Sequence, residues 1–124
     1  MANILLFADN TEFGEVLGKK GHKLFSFTGK EAALDCAHSQ KLDLALVEAD
    51  QPAGMELLQE LRQLNPDLRL LTVTGSPSLP SLRLAISLGT QEIIFTPLDA
   101  AELESKVNKV LKATKRTLKE ALAL

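Results

Sequence analysis

The stretch Asp43-Leu44-Ala45-Leu46-Val47-Glu48 decides the fold. Four consecutive apolar residues leave no polar face, which is typical of a central parallel strand covered by helices on both sides. Similar short apolar runs recur along the chain, and segments with helical spacing separate them. The predicted strands are residues 3–8, 22–27, 43–48, 68–74 and 91–96. We therefore predict an α/β fold, a doubly wound five-stranded parallel sheet flanked by five helices.

Residues with strong positional preferences mark the predicted helix boundaries. Glycine commonly follows the last turn of a helix, proline is accepted in the first turn, and polar side chains cap the start. The expected signals are Gly21 after the first helix, Thr28 with Glu31 as a capping box for the second, Pro80 and Gly89 around the fourth, and Asp99 before the fifth.

Length and composition fit one ordinary domain. The chain has 124 residues and a formal net charge of -2, so we expect neither general nucleic-acid binding nor an acidic tail. Its one cysteine, Cys36, excludes an internal disulfide and is expected in the core. No apolar run approaches the roughly 20 residues that span a bilayer, and we expect a cytoplasmic protein with no membrane contact.

The end of the chain carries an apolar stripe that a single domain does not need. All five strand–helix pairs are used by about Leu111, yet spacings of three and four continue through Leu118 and Ala121. We expect residues 1–113 to form the domain and residues 114–124 to extend the last helix. That extension is expected to pack on another helix, from a second copy or a following domain.

Ligands of an open parallel sheet bind at the carboxyl ends of its strands, so the residues there are the functional candidates. Asp9 directly follows the first strand, the third strand ends at Glu48, the fourth at Thr74 and the fifth at Thr96, which Pro97 follows.

This series, in this order and spacing, resembles the receiver domain of two-component response regulators over residues 3 to about 113. The resemblance implies a flavodoxin-like fold of the receiver type and a pocket around an aspartate that becomes phosphorylated. Asp9 matches the second acid of the family's acidic pair, and Thr74 matches the hydroxyl that bonds a phosphoryl oxygen. Pro97 matches the proline that follows a cis peptide bond.

The chain also departs from that pattern at the residues that carry the chemistry. Ala8 stands in place of the first acid, Glu48 in place of the phosphorylated aspartate and Thr96 in place of the lysine. Ile93 takes the place of the usual aromatic switch residue and is expected to pack in the core. The loop over residues 50–54 is about two residues shorter than in the family.

These departures predict an atypical receiver, a pseudo-receiver, in which Asp9, Glu48, Thr74 and Thr96 form a degenerate phosphoacceptor pocket. The extra methylene of Glu48 displaces its carboxylate by about 1.5 Å, and such displacements cost on the order of a hundredfold in rate. With fewer oxygen ligands, we expect no cofactor and at most weak magnesium binding by Asp9 and Glu48. The predicted role is protein–protein interaction in signal transduction, with no enzymatic activity.

Other interpretations stay open at this point. The chain is alternatively a phosphoacceptor of a phosphorelay that uses Glu48 or Asp50. Glu48 either mimics a phosphorylated aspartate or is a solvated residue at a strand end whose charge has no signalling role. Thr74 is expected to be able to bond Glu48. A flavodoxin or cobalamin-binding domain would need a phosphate loop or an Asp-x-His pair, which residues 9–14 do not supply.

The resemblance also implies where a partner binds. Receivers commonly associate through the surface of helix 4, strand 5 and helix 5. We expect a protein partner or a homodimer through that surface, together with residues 113–124, and no direct nucleic-acid binding by this domain.

Overall fold

The computed structural model describes residues 2–51, 53–76 and 78–112, and within them the chain forms one five-stranded sheet. All neighbouring strands are parallel, in the order β2-β1-β3-β4-β5. The predicted α/β fold class is confirmed. The strands are β1 (Asn3–Phe7), β2 (Lys23–Phe27), β3 (Leu44–Glu48), β4 (Arg69–Thr74) and β5 (Thr90–Phe95). The predicted extension over residues 114–124 lies outside the described residues.

Each strand is followed by a helix. The helices are α1 (Glu12–Lys19), α2 (Lys30–Ser39), α3 (Gly54–Leu64), α4 (Leu79–Ser87) and α5 (Ala100–Lys112). In the part of the chain that is described, no helix is both long and apolar enough to cross a membrane.

Most predicted helix boundaries are confirmed. Gly21 and Gly89 follow α1 and α4 with φ of 82° and 86°, in the left-handed region that glycine reaches without strain. Asp99 caps α5, because its Oδ1 accepts the Ala101 backbone N–H at 2.9 Å. Each signal is local, which is why it could be read from the sequence.

The predicted capping box of the second helix is wrong. The N-cap of α2 is Gly29, in extended conformation and with no side-chain cap, so Thr28 lies one residue too early to cap it. A capping box forms instead at α4, where Ser78 Oγ accepts the Ser81 backbone N–H at 3.3 Å and Ser81 Oγ accepts the Ser78 N–H. Serine at the third helical position satisfies the same backbone donor as the more usual Glu.

The hydrophobic core has two halves, one on each face of the sheet. The α1 and α5 face packs around Ile4, Leu6, Leu46, Val73, Ile94 and their helix partners. The opposite face packs Leu5, Phe7, Val47 and Leu70 against α2 and α3. Cys36 is buried in this second half, as expected. The prediction for Ile93 is wrong, because Ile93 is only partly buried and the neighbouring Ile94 takes the core position.

Arg62 near the end of α3 joins the α3–β4 connection to the turn between α4 and β5. Its guanidinium donates to the carbonyl of Leu88 at 2.6 Å and to that of Leu68 at 2.8 Å. It also donates to the carbonyls of Asn65, Pro66 and Gly89. One side chain therefore satisfies backbone acceptors in two connections, a use that suits the planar array of arginine donors.

Candidate functional site

The candidate site lies at the carboxyl ends of β1, β3, β4 and β5, where a parallel sheet of this order presents its loops together. The segment after β3 determines where the Asp50 side chain lies. The Ala49 N–H donates to the Val73 carbonyl at 2.8 Å, which continues the β3–β4 ladder beyond Glu48. Since β3 and β4 are parallel and Glu48 pairs with Val73, Asp50 lies beside Gly75 two residues later.

The short loop then returns at once to α3. The Gln51 N–H donates to the Glu48 carbonyl, and the Gly54 N–H donates to the Gln51 carbonyl at 2.9 Å. Ala53 has a positive φ of 69°, and a Cβ at Gly54 would lie 2.5 Å from the Glu48 carbonyl oxygen. Only glycine fits this close approach, so the start of α3 holds Asp50 at the sheet edge.

Asp50 is bound by the loop that leads from β4 to α4. Its Oδ1 accepts the Thr74 hydroxyl at 2.7 Å, and its Oδ2 accepts the Gly75 backbone N–H at 2.5 Å. The Ser76 N–H, which also approaches Thr74 Oγ1 at 3.3 Å, lies close enough to act on the same carboxylate. Asp50 thus has hydrogen-bond donors at both oxygens.

These donors stabilise the ionised form of Asp50. Partial burial alone would raise its pKa, but the hydrogen bonds from Gly75, Thr74 and Ser76 together lower the pKa below its ordinary value. Each of these bonds favours the ionised form. Asp50 is therefore a carboxylate at neutral pH.

Glu48 faces away from Thr74. Its partner in the register is Val73, and side chains alternate along a strand, so Thr74 points to the opposite face of the sheet. The Glu48 Oε2 instead accepts the backbone N–H of Asp9 at 3.2 Å. The expectation that Thr74 could bond Glu48 is therefore wrong, and Thr74 bonds Asp50.

Asp9 is exposed at the end of β1 and is held by Gln51, whose amide nitrogen donates to Asp9 Oδ2 at 2.6 Å. Within residues 2–51, 53–76 and 78–112, no three His, Cys, Asp or Glu side chains are grouped so that they could hold a metal ion. One carboxylate oxygen of Asp9 and one of Glu48 already accept hydrogen bonds. The Asp50 carboxylate accepts hydrogen bonds from Thr74 and Gly75. This arrangement does not fit a magnesium ion held by several carboxylates, and weak binding by Asp9 and Glu48 stays a prediction.

Ala8, which stands in place of an acidic residue, lines an open cleft. The cleft has a volume of about 310 Å³ and lies between the ends of β1 and β2 and the start of α1. Its lining includes Ala8, Asp9, Gly14 and Phe27. A methyl group at position 8 leaves room here but supplies no oxygen.

Thr96 closes the other side of the site. Its N–H donates to the Thr74 carbonyl at 3.1 Å, and its hydroxyl lies directly against Gly75, where any Cβ would collide with it. The Thr96–Pro97 peptide bond is cis, as the resemblance implied. The structure thus brings Thr74, Thr96 and Asp50 together around Gly75, with Asp9 and Glu48 as a separate pair.

Sequence reasoning missed two residues of the site. Gln51 was not singled out, and no pattern marks it, because its role depends on a turn that places its amide near Asp9. Gly75 could have been noticed, since a glycine directly after a strand often permits a close backbone approach.

The sequence of this chain is similar to those of known receiver domains. The family model described as "Response regulator receiver domain" matches residues 10–108. The chain is 26% identical over 99 residues to sporulation initiation phosphotransferase F of Bacillus subtilis, covering 78% of this chain and 80% of that protein. It is 26% identical over 98 residues to the two-component response regulator PhoP of Pseudomonas aeruginosa, covering 77% of this chain and 44% of that protein.

A solved structure shares the fold. A CheY-like response regulator receiver domain protein of Methanospirillum hungatei superposes with a TM-score of 0.83 and 24% identity. The superposition covers 90% of this chain and 94% of that one. At this level of identity the similarity supports the architecture alone.

Proposed function

The chain belongs to the response regulator receiver domain family, and we propose that it signals by binding other proteins without phosphorylation of an aspartate. One observation carries the proposal. Asp50, the aspartate that follows β3, has both carboxylate oxygens bonded by Thr74 and Gly75 of the chain itself. A receiver is a signalling module of two-component systems, and the finer assignment as a pseudo-receiver rests on this arrangement.

The chemistry of phosphoryl transfer supports the proposal. Transfer depends on positioning and charge neutralisation by a divalent ion and a cationic side chain. The uncharged Thr96 replaces that cation, and losing one charge-stabilising donor costs roughly 10²–10³ in rate. Glu48, bonded to the Asp9 N–H, projects about one carbon–carbon bond, ~1.5 Å, farther than an aspartate would. Both losses act in the same direction.

A second candidate function has a specific observation in its favour. Asp50 is ionised and lies 2.7 Å from the Thr74 hydroxyl, the group that the family places near a phosphoryl oxygen. Asp50, or less directly Glu48, would then be the phosphoacceptor of a phosphorelay. Against it, the same hydrogen bonds hold the lone pairs that would attack, and they lower the basicity of the nucleophile.

We place the partner-binding surface on α4, β5 and α5. Leu79 at the start of α4 is 60% exposed and Phe95 at the end of β5 is 48% exposed, so each offers apolar side-chain surface that a partner could bury. Lys106 of α5 donates to the Ile93 carbonyl at 2.7 Å, which joins α5 to β5. A protein partner or a second copy would cover this surface, and the proposed contribution of residues 113–124 lies outside the described residues.

Acetyl phosphate tests the proposal. After incubation with acetyl phosphate and magnesium, we expect the intact mass of the wild-type chain to stay unchanged. The combined variant Ala8→Asp, Glu48→Asp, Thr96→Lys restores the family's residues and is the variant for which an adduct is expected. A wild-type adduct of one phosphoryl group would contradict the proposal. Its loss in Asp50→Asn or in Glu48→Gln would then identify the acceptor.

A further inference from the structure

The loop between β4 and α4 presents several hydrogen-bond donors to one point. The Thr74 hydroxyl and the Gly75 N–H approach the two oxygens of Asp50, and the Ser76 N–H lies beside them. A hydroxyl with consecutive backbone N–H groups is a common way for proteins to bind an anion, because the donors sum to a fixed positive potential. In this chain the anion is a side chain of the same domain.

We propose that the β4–α4 loop is an anion site whose resident ligand is the Asp50 carboxylate, and that removing this carboxylate opens the site to inorganic phosphate. The proposal deepens the proposed function, on which it rests, because it names what occupies the place of the phosphoryl group. Its ligand class is a tetrahedral oxyanion, which can use the same Thr74 and Gly75 donors.

Asp50 belongs to the same chain as the loop that binds its carboxylate, which explains why it occupies the anion site in the wild-type protein. The Ala49 N–H bond to β4 and the close packing of Gly54 on the Glu48 carbonyl hold Asp50 next to its donors. A ligand tethered in this way has a high effective concentration, and free phosphate must compete against it. Phosphate entering beside the bound carboxylate would also meet a like charge.

The site is joined to the elements of the proposed binding surface. Gly75 lies between the Asp50 carboxylate and the Thr96 hydroxyl, and Thr96 follows the exposed Phe95 of β5. Ser78 caps α4, the helix that follows this loop. An anion bound by Gly75 would therefore lie close to the end of β4, the end of β5 and the start of α4.

The experiment is a phosphate titration at constant ionic strength, followed at the Gly75 and Ser76 backbone amides by two-dimensional NMR. In Asp50→Ala we expect saturable shifts of both amides in the millimolar range. Without phosphate, we expect hydrogen exchange at the Gly75 amide to be about tenfold faster or more than in wild type, because its charge-assisted bond to Asp50 is lost. Wild type should show no saturable shift, and neither should Glu48→Ala, the matched control that removes a neighbouring carboxylate bonded to the Asp9 N–H instead of to the Thr74 and Gly75 donors.

Two further variants keep the test decisive. Adding Thr74→Val to Asp50→Ala should abolish the phosphate response, since it removes the hydroxyl donor. Should Asp50→Ala fail to fold, Asp50→Asn keeps the size of the side chain and should still show faster exchange. Saturation of wild type with the same affinity as Asp50→Ala, or an unresponsive but folded Asp50→Ala, would overturn the proposal.

The outcomes separate the two proposals. A phosphorylated wild type together with a phosphate-binding Asp50→Ala would remove the proposed function and leave the anion site standing. An unmodified wild type with a folded, unresponsive Asp50→Ala would do the reverse.

Discussion

Replacing Arg62 with methionine should lower the free energy of unfolding by about 2–3 kcal/mol. Methionine keeps a similar unbranched stem but removes all of the donors. Three of the acceptors that lose their partner, the carbonyls of Leu68, Leu88 and Gly89, lie in partly buried surroundings. Unsatisfied buried acceptors are the costly part of such a change.

The magnitude follows from the two shortest of these bonds, to Leu88 at 2.6 Å and to Leu68 at 2.8 Å. A hydrogen bond to a charged donor contributes about 1.5–3 kcal/mol net, so two bonds at the low end give roughly 3 kcal/mol. The exposed carbonyls of Asn65 and Pro66 are hydrated again at little cost. Burial lowers the pKa of Arg62, so its charge is partly desolvated, and removing that charge returns some of the loss.

Urea unfolding monitored by circular dichroism measures this difference, provided that the slope with denaturant stays constant. Arg83→Met on the exposed side of α4 is the matched control and should change stability by less than about 0.5 kcal/mol. Arg62→Lys should lose an intermediate amount, because one ammonium group cannot span both connections. If Arg62→Met unfolds within about 0.5 kcal/mol of wild type, the role assigned to this side chain is wrong.

Two further predictions concern positions with internal controls. Gly75→Ala should destabilise the fold by about 1–3 kcal/mol, because its Cβ meets the Thr96 hydroxyl, whereas Gly18→Ala in α1 should be neutral or stabilising by up to about 1 kcal/mol in the same unfolding assay. Ser78→Ala should cost about 1 kcal/mol by removing the cap of α4, whereas Thr28→Ala, which leaves the α2 cap untouched, should cost under about 0.5 kcal/mol. Equal losses within either pair would contradict the corresponding assignment.

The sheet could be predicted from the sequence because its signals are local and strong. The apolar run that became β3 reads as a buried strand without any knowledge of its neighbours. Choices between adjacent residues could not be made in the same way. Ile93 and Ile94 are chemically identical, and the register of β5, with its irregularity near Leu70 and Leu71, decides which one enters the core.

The site was predictable as a set of strand ends but not as a set of contacts. The order of Asp9, Glu48, Thr74 and Thr96 indicated the family, which the family model confirms. The strand register, which pairs Glu48 with Val73, and the turn at Ala53 then place Asp50, not Glu48, against Thr74. Similarly, the acceptors of Arg62 are backbone carbonyls, whose positions only the folded chain defines.

The claim that Asp50 is the ligand of its own β4–α4 loop is tested most directly by titrating its carboxyl group with carbon-detected NMR. Hydrogen bonds to the ionised form lower its pKa, so the account predicts a midpoint below the ordinary value of about 3.9. Because the folded-state pKa lies below the unfolded one, this carboxylate contributes stability that is present above about pH 4 and lost as the pH falls through the folded-state pKa. Thr74→Val should move the midpoint upward. A midpoint at or above the ordinary value, unmoved by Thr74→Val, would contradict the account.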